Sequence, residues 1–149
     1  SLVLTNQSQD TTTKGLEAEF TYIPTEAFYF KAGLTHLFDK GEDQFKESDN
    51  LLFLITNYEY NQWNFNFSAN YHDEKQTVQY QAPGQFTTLN DYWVANTKVS
   101  YQFDNLCALY FKAKNLFDKD YSTPAIGNRA YNGVPNRGRQ WSIGAEFSF

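Results

Sequence analysis

The sequence lacks methionine and has one cysteine and four prolines in 149 residues. The single cysteine, Cys107, excludes a disulfide within the chain and a metal site built from several thiolates. Cys107 lies in an alternating apolar run, which favours a small buried or lipid-facing residue. The longest apolar run, from Leu51 to Ile55, is far shorter than the roughly 20 residues that a membrane-spanning helix requires.

Positive charge is also in deficit. Twelve lysines and arginines stand against 17 aspartates and glutamates, which gives a net charge of -5 and an isoelectric point near 4.9. This balance argues against nucleic acid as a partner. No residue pattern predicts a cofactor.

Aromatic side chains, by contrast, are abundant. They make up 19% of the chain, with 14 Phe, 11 Tyr and 3 Trp, yet the mean hydropathy is only -0.63. The aromatic residues are therefore diluted by polar ones. This composition suits a structure with one apolar and one wet face, such as a membrane β-barrel with lipid outside and water inside.

Alternation with a period of two residues is the dominant pattern of the chain. Between residues 63 and 72 every odd position is apolar and every even position is polar. Six further segments of about 9 to 12 residues repeat it, a length that crosses a bilayer at a tilt of about 45°. The pattern predicts seven complete strands, with residues 1–5 as a possible eighth.

Only residues 50–60 are ambiguous, because the run from Leu51 to Ile55 is apolar on both faces. We expect Leu52, Leu54, Tyr58 and Tyr60 to point outward. That choice leaves Asn57 and Glu59 on the inner, polar face.

The connections between the predicted strands alternate between short and long. The tight turns are Pro24-Thr25, Asn61-Gln62 and Asp104-Asn105, and the long polar segments are roughly 38–49, 73–91 and 117–139. Short turns on one side and long loops on the other are typical of bacterial outer-membrane barrels, in which the long loops face outward. Aromatic residues flank both sets of connections, as in the interfacial girdles of such barrels. Near the tight turns these are Tyr22, Phe28, Tyr58, Tyr60, Trp63, Tyr101 and Phe103, and near the loops Tyr71, Trp93 and Trp141.

A motif near the C-terminal end resembles the signature of TonB-dependent outer-membrane receptors. Residues 115–121 read Asn-Leu-Phe-Asp-Lys-Asp-Tyr, and an Arg137-Gly138-Arg139 segment then leads into an alternating strand that reaches Phe149. The segment from Gly15 to Pro24 resembles the family's G-x-E-x-E strand and the proline turn after it. The motif residues are Asn115, Leu116, Phe117, Asp118, Lys119 and Tyr121.

The resemblance implies an all-β, antiparallel up-and-down transmembrane barrel of about 22 strands. Residues 1–149 are then one domain, the C-terminal barrel segment, with the last seven or eight strands and no plug domain. The implied function is import of a siderophore or other iron chelate, haem, cobalamin or a similar nutrient across the outer membrane of a Gram-negative bacterium.

The same resemblance implies the partners of the chain. They are outer-membrane lipid and lipopolysaccharide, the plug and remaining strands of the receptor, TonB through that plug, the barrel-assembly machinery and a small-molecule ligand. The implied barrel-insertion signal is the final strand face, formed by Ile143, Ala145, Phe147 and Phe149.

Two groups of residues are candidates for contact with the ligand. The lumen-facing candidates are Asn64, Asn66, Ser68, Asn70, His72, Lys112 and Lys114. The extracellular loop candidates are Tyr80, Phe86, Arg129, Tyr131, Arg137 and Arg139. The last long loop is basic and suits an anionic chelate or the phosphates of lipopolysaccharide, although internal ion pairs would explain its charges equally well.

Catalytic and metal sites are not predicted, and the chain is not expected to be an enzyme. Ser68 and His72 share a strand face but lie about 13 Å apart, too far for a nucleophile and its base. The acidic segment of Asp39, Glu42, Asp43, Glu47 and Asp49 lacks the spacing of a calcium loop, which favours a solvated loop. Two lone histidines, His36 and His72, are too few for a metal or haem site.

Two alternative functions remain open at this point. The first is a closed eight-stranded outer-membrane barrel with an adhesive or enzymatic role. The second is a soluble, aromatic-rich β-sandwich that binds carbohydrate.

Overall fold

The computed structural model describes residues 12–39, 47–79, 85–125 and 133–147. Within these ranges seven long strands form one antiparallel sheet in chain order, interrupted in sequence by two short hairpins. The long strands are β1 (Lys14–Thr25), β2 (Phe28–Asp39), β3 (Asn50–Tyr60), β4 (Trp63–His72), β7 (Tyr92–Gln102), β8 (Cys107–Lys114) and β11 (Gln140–Phe147). The hairpins pair β5 (Lys75–Val78) with β6 (Phe86–Leu89), and β9 (Ser122–Thr123) with β10 (Val134–Pro135). In the described part of the chain, no helix is long and apolar enough to span a membrane.

The register of the sheet keeps one apolar and one polar face across all seven strands. Residues that pair directly in a ladder point to the same face. Ala69 is opposite Leu54 on one side and Ala95 on the other, whereas Asn66 is opposite Asn57 and Lys98. The alternation within each strand therefore adds up across the sheet, as the sequence predicts.

The outward assignment in residues 50–60 is confirmed by this register. Leu52 pairs with Tyr71, and Tyr58 pairs with Phe65, both on the apolar face. Glu59 pairs with Asn64 on the polar face.

The apolar face of the sheet is uncovered. Leu16, Phe20 and Ile143 are 60%, 59% and 80% exposed. A β-sandwich buries such a face against a second sheet, and among the described residues no such sheet lies over it. The fold therefore does not support the carbohydrate-binding sandwich.

The two edges of the sheet, β1 and β11, are not paired with each other in the described structure. Within residues 12–147 as described, the sheet is therefore an open segment. Residues 1–5, the possible eighth strand, lie outside the described residues.

One of the three predicted tight turns was wrong. The turn lies at Glu26–Ala27, whereas Pro24 and Thr25 belong to the end of β1. The register shifts between Tyr22 and Thr25, and such an irregularity accommodates a proline, which has no N–H to donate to a regular ladder.

The other two tight turns are confirmed. Asn61 adopts a left-handed φ of 53° in the first of them, a conformation that asparagine tolerates. In the second, the Asp104 carboxylate accepts hydrogen bonds from the backbone N–H groups of Leu106 and Cys107, both at 2.8 Å.

The two short hairpins lie in segments that the sequence pattern treats only as long loops, and they pack on each other. The hydroxyl of Thr77 in β5 accepts a hydrogen bond from the Ala125 N–H at 3.0 Å. Thr77 is fully buried and Ala125 is 1% exposed. Both residues of this buried contact lie at the loop end of the sheet.

Aromatic contacts run continuously along the tight-turn end of the apolar face. The centroid distances are 6.5 Å for Phe28–Tyr58, 6.3 Å for Tyr58–Phe65, 6.1 Å for Trp63–Phe65, 4.9 Å for Trp63–Tyr101 and 4.9 Å for Tyr101–Phe103. Two further pairs, Tyr71–Trp93 at 5.1 Å and Phe111–Trp141 at 5.3 Å, lie toward the loop end. The aromatic residues thus form two bands at the heights where the sequence places two girdles.

Candidate functional site

A pocket of about 750 Å³ opens at the loop end of the polar face. Its floor comes from β4, β7, β8 and β11, and its outer wall from the segment that precedes β11. The lining residues are Ser68, Val94, Asn96, Lys112, Lys114, Asn115, Tyr121, Pro135, Asn136, Arg137, Gly138 and Gln140.

Three cationic side chains line this pocket. Lys112 and Lys114 reach it because they alternate with outward-facing residues on β8, and Arg137 comes from the outer wall. Within the described ranges none of the three forms an ion pair, and no described lining residue carries a carboxylate. The pocket is therefore electropositive and also offers amide donors, which suits a polar, anionic ligand.

Lys98, directly opposite Lys112, is by contrast engaged in an ion pair. Its Nζ lies 2.7 Å from Glu146 and 4.8 Å from the centroid of the Tyr110 ring. The Tyr110 ring in turn lies across Gly144, where an added Cβ would be 2.5 Å from the phenol oxygen. The same arrangement recurs elsewhere on the polar face. There the Phe53 ring lies across Gly33 and the Lys31 ammonium lies over that ring. Lys31 also forms an ion pair with Glu19 at 2.8 Å.

Asn115 organises the loop that bounds the pocket above β8. It is 4% exposed and has a left-handed φ of 50°. Its side-chain amide both donates to the Lys119 carbonyl and accepts from the Lys119 N–H, each at 2.9 Å. The Asn115 N–H donates to the side chain of Asn96 at 3.1 Å, which ties the loop to β7.

Asp118 fixes the outer wall of the pocket. Its carboxylate accepts a hydrogen bond from the Arg139 N–H at 2.7 Å, and a Cβ at Gly138 would lie 2.9 Å from the same oxygen. The wall therefore approaches the motif so closely that Gly138 is the residue that fits without displacement. Asn115 and Asp118 thereby hold Arg137 over the pocket.

Tyr121, the last motif residue, separates the pocket from a second recess of about 500 Å³ on the side of β6. Its ring stacks on Tyr92 at 4.3 Å, and Tyr92 stacks on His72 at 5.0 Å. The Lys75 ammonium lies 5.5 Å from the Tyr92 ring centroid. Burial lowers the pKa of Lys75, an effect that the Glu47 charge partly opposes.

The structure divides the seven predicted lumen-facing residues into three groups. Ser68, Lys112 and Lys114 line the pocket. Asn64 and Asn66 lie toward the tight-turn end, where Asn64 donates to Glu59 at 3.0 Å. The remaining two, Asn70 and His72, border a separate recess next to β3.

The predicted loop residues are also separated. Arg137 lines the pocket, but Arg139 lies over the ring of Trp141 on the apolar face, 5.2 Å from its centroid. Phe86 pairs with Val78 in the β5–β6 hairpin and lines neither recess. Tyr80, Arg129 and Tyr131, together with Phe149 of the insertion signal, lie outside the described residues.

Several lining residues were not predicted to contact ligand. The alternation of residues along β7 places Asn96 on the polar face, so the sequence carries a signal for it. Asn136 and Gly138 carry no periodic signal because they precede β11. Asn136 is held by a hydrogen bond from its N–H to the Tyr121 carbonyl at 3.0 Å, and Gly138 lies next to the Asp118–Arg139 contact, which spans 21 residues.

Ser68 and His72 have other partners on the polar face. Ser68 accepts a long hydrogen bond from Asn96 at 3.5 Å, and His72 stacks on Tyr92. In the part of the chain that the structure describes, no group of three or more His, Cys, Asp or Glu is arranged to hold a metal ion.

No family model and no curated protein matches the sequence. Solved structures do match the fold. The ferripyoverdine receptor of the outer membrane of Pseudomonas aeruginosa, bound to ferripyoverdine, superposes with a TM-score of 0.75 at 23% identity, over 92% of this chain and 19% of that chain. The ferric-catecholate import receptor Fiu from E. coli K12 superposes with a TM-score of 0.76 at 21% identity, over 91% and 20%. The siderophore receptor PiuA from Acinetobacter baumannii superposes with a TM-score of 0.75 at 18% identity, over 92% and 22%.

This chain spans about a fifth of the length of these structures. The predicted fold, an antiparallel seven-stranded segment of a larger β-barrel, is therefore confirmed.

Proposed function

We propose that this chain is the C-terminal barrel segment of a TonB-dependent receptor that imports a siderophore–iron complex or a similar nutrient across the outer membrane of a Gram-negative bacterium. The electropositive pocket at the loop end of the polar face contacts the ligand. The observation that carries this proposal is the convergence of Lys112, Lys114 and Arg137, unpaired among the described residues, on a pocket without a described carboxylate.

The charges of the pocket match the chemistry of an anionic iron chelate. A guanidinium and two ammonium groups satisfy chelate oxygens through charge-assisted hydrogen bonds, which are stronger than neutral ones. The neighbouring amides of Asn96 and Gln140 supply directional contacts. A neutral chelate gains only these contacts, so the pocket favours anionic ligands over neutral ones of the same size.

The uncovered apolar face and its two aromatic bands support a position in the membrane. Exposed apolar area of this extent is unfavourable in water and favourable against lipid tails. Tyrosine and tryptophan rings prefer the headgroup level. With the tight turns on the periplasmic side, the pocket opens toward the cell exterior.

The edges of the sheet support the proposed protein partners. Edge strands present unpaired backbone groups, which lipid cannot satisfy. We therefore assign the remaining strands of the receptor to the edges of β1 and β11, and the plug to the polar face. TonB acts through that plug, and the barrel-assembly machinery reads the final strand face from Ile143 to Phe149.

The experiment measures chelate binding by the native protein in detergent. Binding is detected as quenching of the protein's tryptophan fluorescence. The probes are an anionic ferric tris-catecholate and a neutral ferric tris-hydroxamate. Replacing both Lys112 and Lys114 with glutamine is expected to weaken binding of the anionic chelate about 10- to 100-fold, with a smaller effect on the neutral one.

The matched control is Lys119→Gln, which removes a positive charge next to the pocket but outside its lining. It is expected to leave the affinity near that of the unmodified protein. The proposal is contradicted if the double variant binds the anionic chelate as tightly as the unmodified protein does. It is also contradicted if the unmodified protein binds neither chelate.

A further inference from the structure

An apolar strip of three residues, Leu51, Phe53 and Ile55, interrupts the polar face of the sheet on β3. Their direct partners in β4 are the even-numbered residues from 68 to 72, which all lie on the polar face. Because alternate positions of a strand share a face, half of the apolar run in β3 points away from the outer, apolar surface. Apolar side chains on a water-facing surface are unfavourable unless something covers them, so this strip is a candidate contact surface.

The loop-end part of the strip forms the wall of a recess of about 230 Å³. Leu51 and Phe53 are half-buried there, and the Phe53 ring is held in place across Gly33. No described lining residue carries an ammonium, guanidinium or carboxylate group. The inward-facing lining residues are Thr35, Leu51, Phe53, Asn70 and His72. The recess therefore has an apolar wall and a polar, weakly charged rim.

The recess lies beside the electropositive pocket along β4. Ser68 lines the pocket, and Asn70 lines the recess. These two residues are alternate positions on one face of the strand, so they are about 7 Å apart. One small molecule can therefore contact both sites at once.

The two sites differ in size and in chemistry. The pocket has a volume of about 750 Å³ and is lined by three cationic side chains, whereas the recess has a volume of about 230 Å³. Sites for complete small molecules have volumes of roughly 300–1,000 Å³. The recess is therefore large enough for a substituent of a ligand but too small for a whole chelate.

We propose that the ligand of the electropositive pocket is an amphiphilic chelate, and that the recess beside β3 binds its short alkyl or aryl substituent. Leu51 and Phe53 contact this group, while the anionic part of the chelate occupies the pocket. The proximity of an apolar recess to a cationic pocket on one face carries the inference. It rests on the proposed function, because that function assigns the anionic part to the pocket.

The test compares two probes, an anionic ferric tris-catecholate that carries one benzyl group on its linker and the same chelate without that group. Binding by the native protein is measured in one detergent, so partition of the benzyl group into micelles cancels when variants are compared. We expect the unmodified protein to bind the benzyl chelate about tenfold more tightly than the plain one, because the recess removes part of the ring from water.

Two variants change the recess in opposite directions. Leu51→Asn replaces an apolar wall by a polar one of similar size and is expected to reduce the tenfold preference to about twofold or less. Asn70→Leu extends the apolar wall and is expected to increase the preference by about threefold or more. A gain of preference is not a result of misfolding, so the second variant keeps the test decisive if the first folds poorly.

The matched control is Ile55→Asn. It makes the same kind of change as Leu51→Asn on the same face of β3, at a residue that is 42% exposed and outside the lining of the recess. It is expected to retain the tenfold preference. An equal loss of preference in Ile55→Asn, or an unchanged preference in both Leu51→Asn and Asn70→Leu, overturns the proposal.

The failure of this proposal is distinguishable from that of the proposed function. If the unmodified protein binds both chelates equally well, with affinity that depends on Lys112 and Lys114, the recess does not hold a ligand group and only this inference is rejected. The strip on β3 is then a surface that the rest of the receptor covers. If the unmodified protein binds neither chelate, the import function is rejected together with the recess.

Discussion

Asn115 allows the contribution of a single motif residue to be separated into hydrogen bonding and backbone conformation. Its side chain makes two hydrogen bonds to the backbone of Lys119, and its φ is 50°. Asn115→Ala removes both hydrogen bonds. It also leaves a residue with a Cβ in the left-handed region without the side-chain hydrogen bonds that compensate the strain in asparagine. Asn115→Gly removes the bonds but relieves the backbone, and Asn115→Asp keeps the acceptor and loses the donor.

The expected magnitudes follow from these contacts. Each hydrogen bond contributes about 0.5–1.5 kcal/mol net, and the left-handed conformation costs alanine roughly 1–2 kcal/mol relative to glycine. Asn115→Ala is therefore expected to destabilise the loop by about 2–5 kcal/mol and Asn115→Gly by about 1–3 kcal/mol. Asn115→Asp is expected to cost about 1 kcal/mol, since it still accepts from the Lys119 N–H.

The assay is amide hydrogen exchange of the native protein, read at Lys119 and Arg139. A loss of 1.4 kcal/mol in local opening free energy corresponds to about tenfold faster exchange. Asn115→Ala is expected to accelerate exchange at Lys119 by about 30-fold or more, with glycine and aspartate below it. Exchange of the Arg139 amide, which donates to the Asp118 carboxylate, is expected to accelerate as well if Asn115 holds Asp118 in place. Equal exchange in Asn115→Gly and Asn115→Ala refutes the conformational part of the reasoning, and unchanged exchange in all three refutes it entirely.

Three further predictions concern the polar face and the hairpin above it. Gly144→Val places a side chain where the Tyr110 ring lies and is expected to lower the free energy of unfolding in denaturant by about 1–3 kcal/mol, because the ring must move. Thr77→Val removes the acceptor of the buried Ala125 N–H and is expected to cost about 1–3 kcal/mol of hairpin docking, seen as faster exchange of the Ala125 amide. Burial lowers the pKa of Lys75 below 10.5. At neutral pH its charge therefore opposes docking of the β5–β6 hairpin. This free-energy penalty decreases as pH rises through the lowered pKa, because the docked lysine then loses its proton. Hairpin protection, corrected for intrinsic exchange, is therefore expected to increase between neutral pH and 10.5, and Lys75→Met removes that increase.

Matched controls exist for the first two of these changes. Ser142→Val adds the same branched side chain to β11 at an exposed position two residues from Gly144. Thr88→Val makes the same chemical change as Thr77→Val at an exposed position of the hairpin. Destabilisation by a control as large as by its test variant contradicts the corresponding explanation.

The sequence was sufficient for the sheet because each strand carries the same period-two signal. Ten consecutive residues that alternate without exception, from Trp63 to His72, assign the faces of β4 without reference to its neighbours. The faces of the ambiguous run from Leu51 to Ile55 were assigned correctly because its polar neighbours, Asn57 and Glu59, belong on the water-facing side of the sheet. The Pro24 turn was misplaced because proline signals a break in the ladder, and here the break is an irregularity within a strand.

The pocket was only partly predictable, for a physical reason. Its floor follows from alternation, so Lys112, Lys114 and Ser68 were found. Its outer wall comes from residues 135–138, which are held by contacts distant in sequence: the pairing of β10 with β9, the Asn136–Tyr121 backbone hydrogen bond and the Asp118–Arg139 contact. The opposite orientations of Arg137 and Arg139 were not predictable, because the strand period does not apply before β11 begins at Gln140.

Single spin labels along β4 test whether one face of the sheet meets lipid and the other meets water. In the native protein with Cys107 replaced by serine and reconstituted in lipid, labels are placed in turn at residues 65–69. Labels at Phe65, Phe67 and Ala69 are predicted to collide mainly with dissolved oxygen, which concentrates in lipid. Labels at Asn66 and Ser68 are predicted to collide mainly with a water-soluble nickel complex. Equal exposure of both sets to the nickel complex, without a two-residue period, contradicts a sheet with one lipid-facing and one water-facing side.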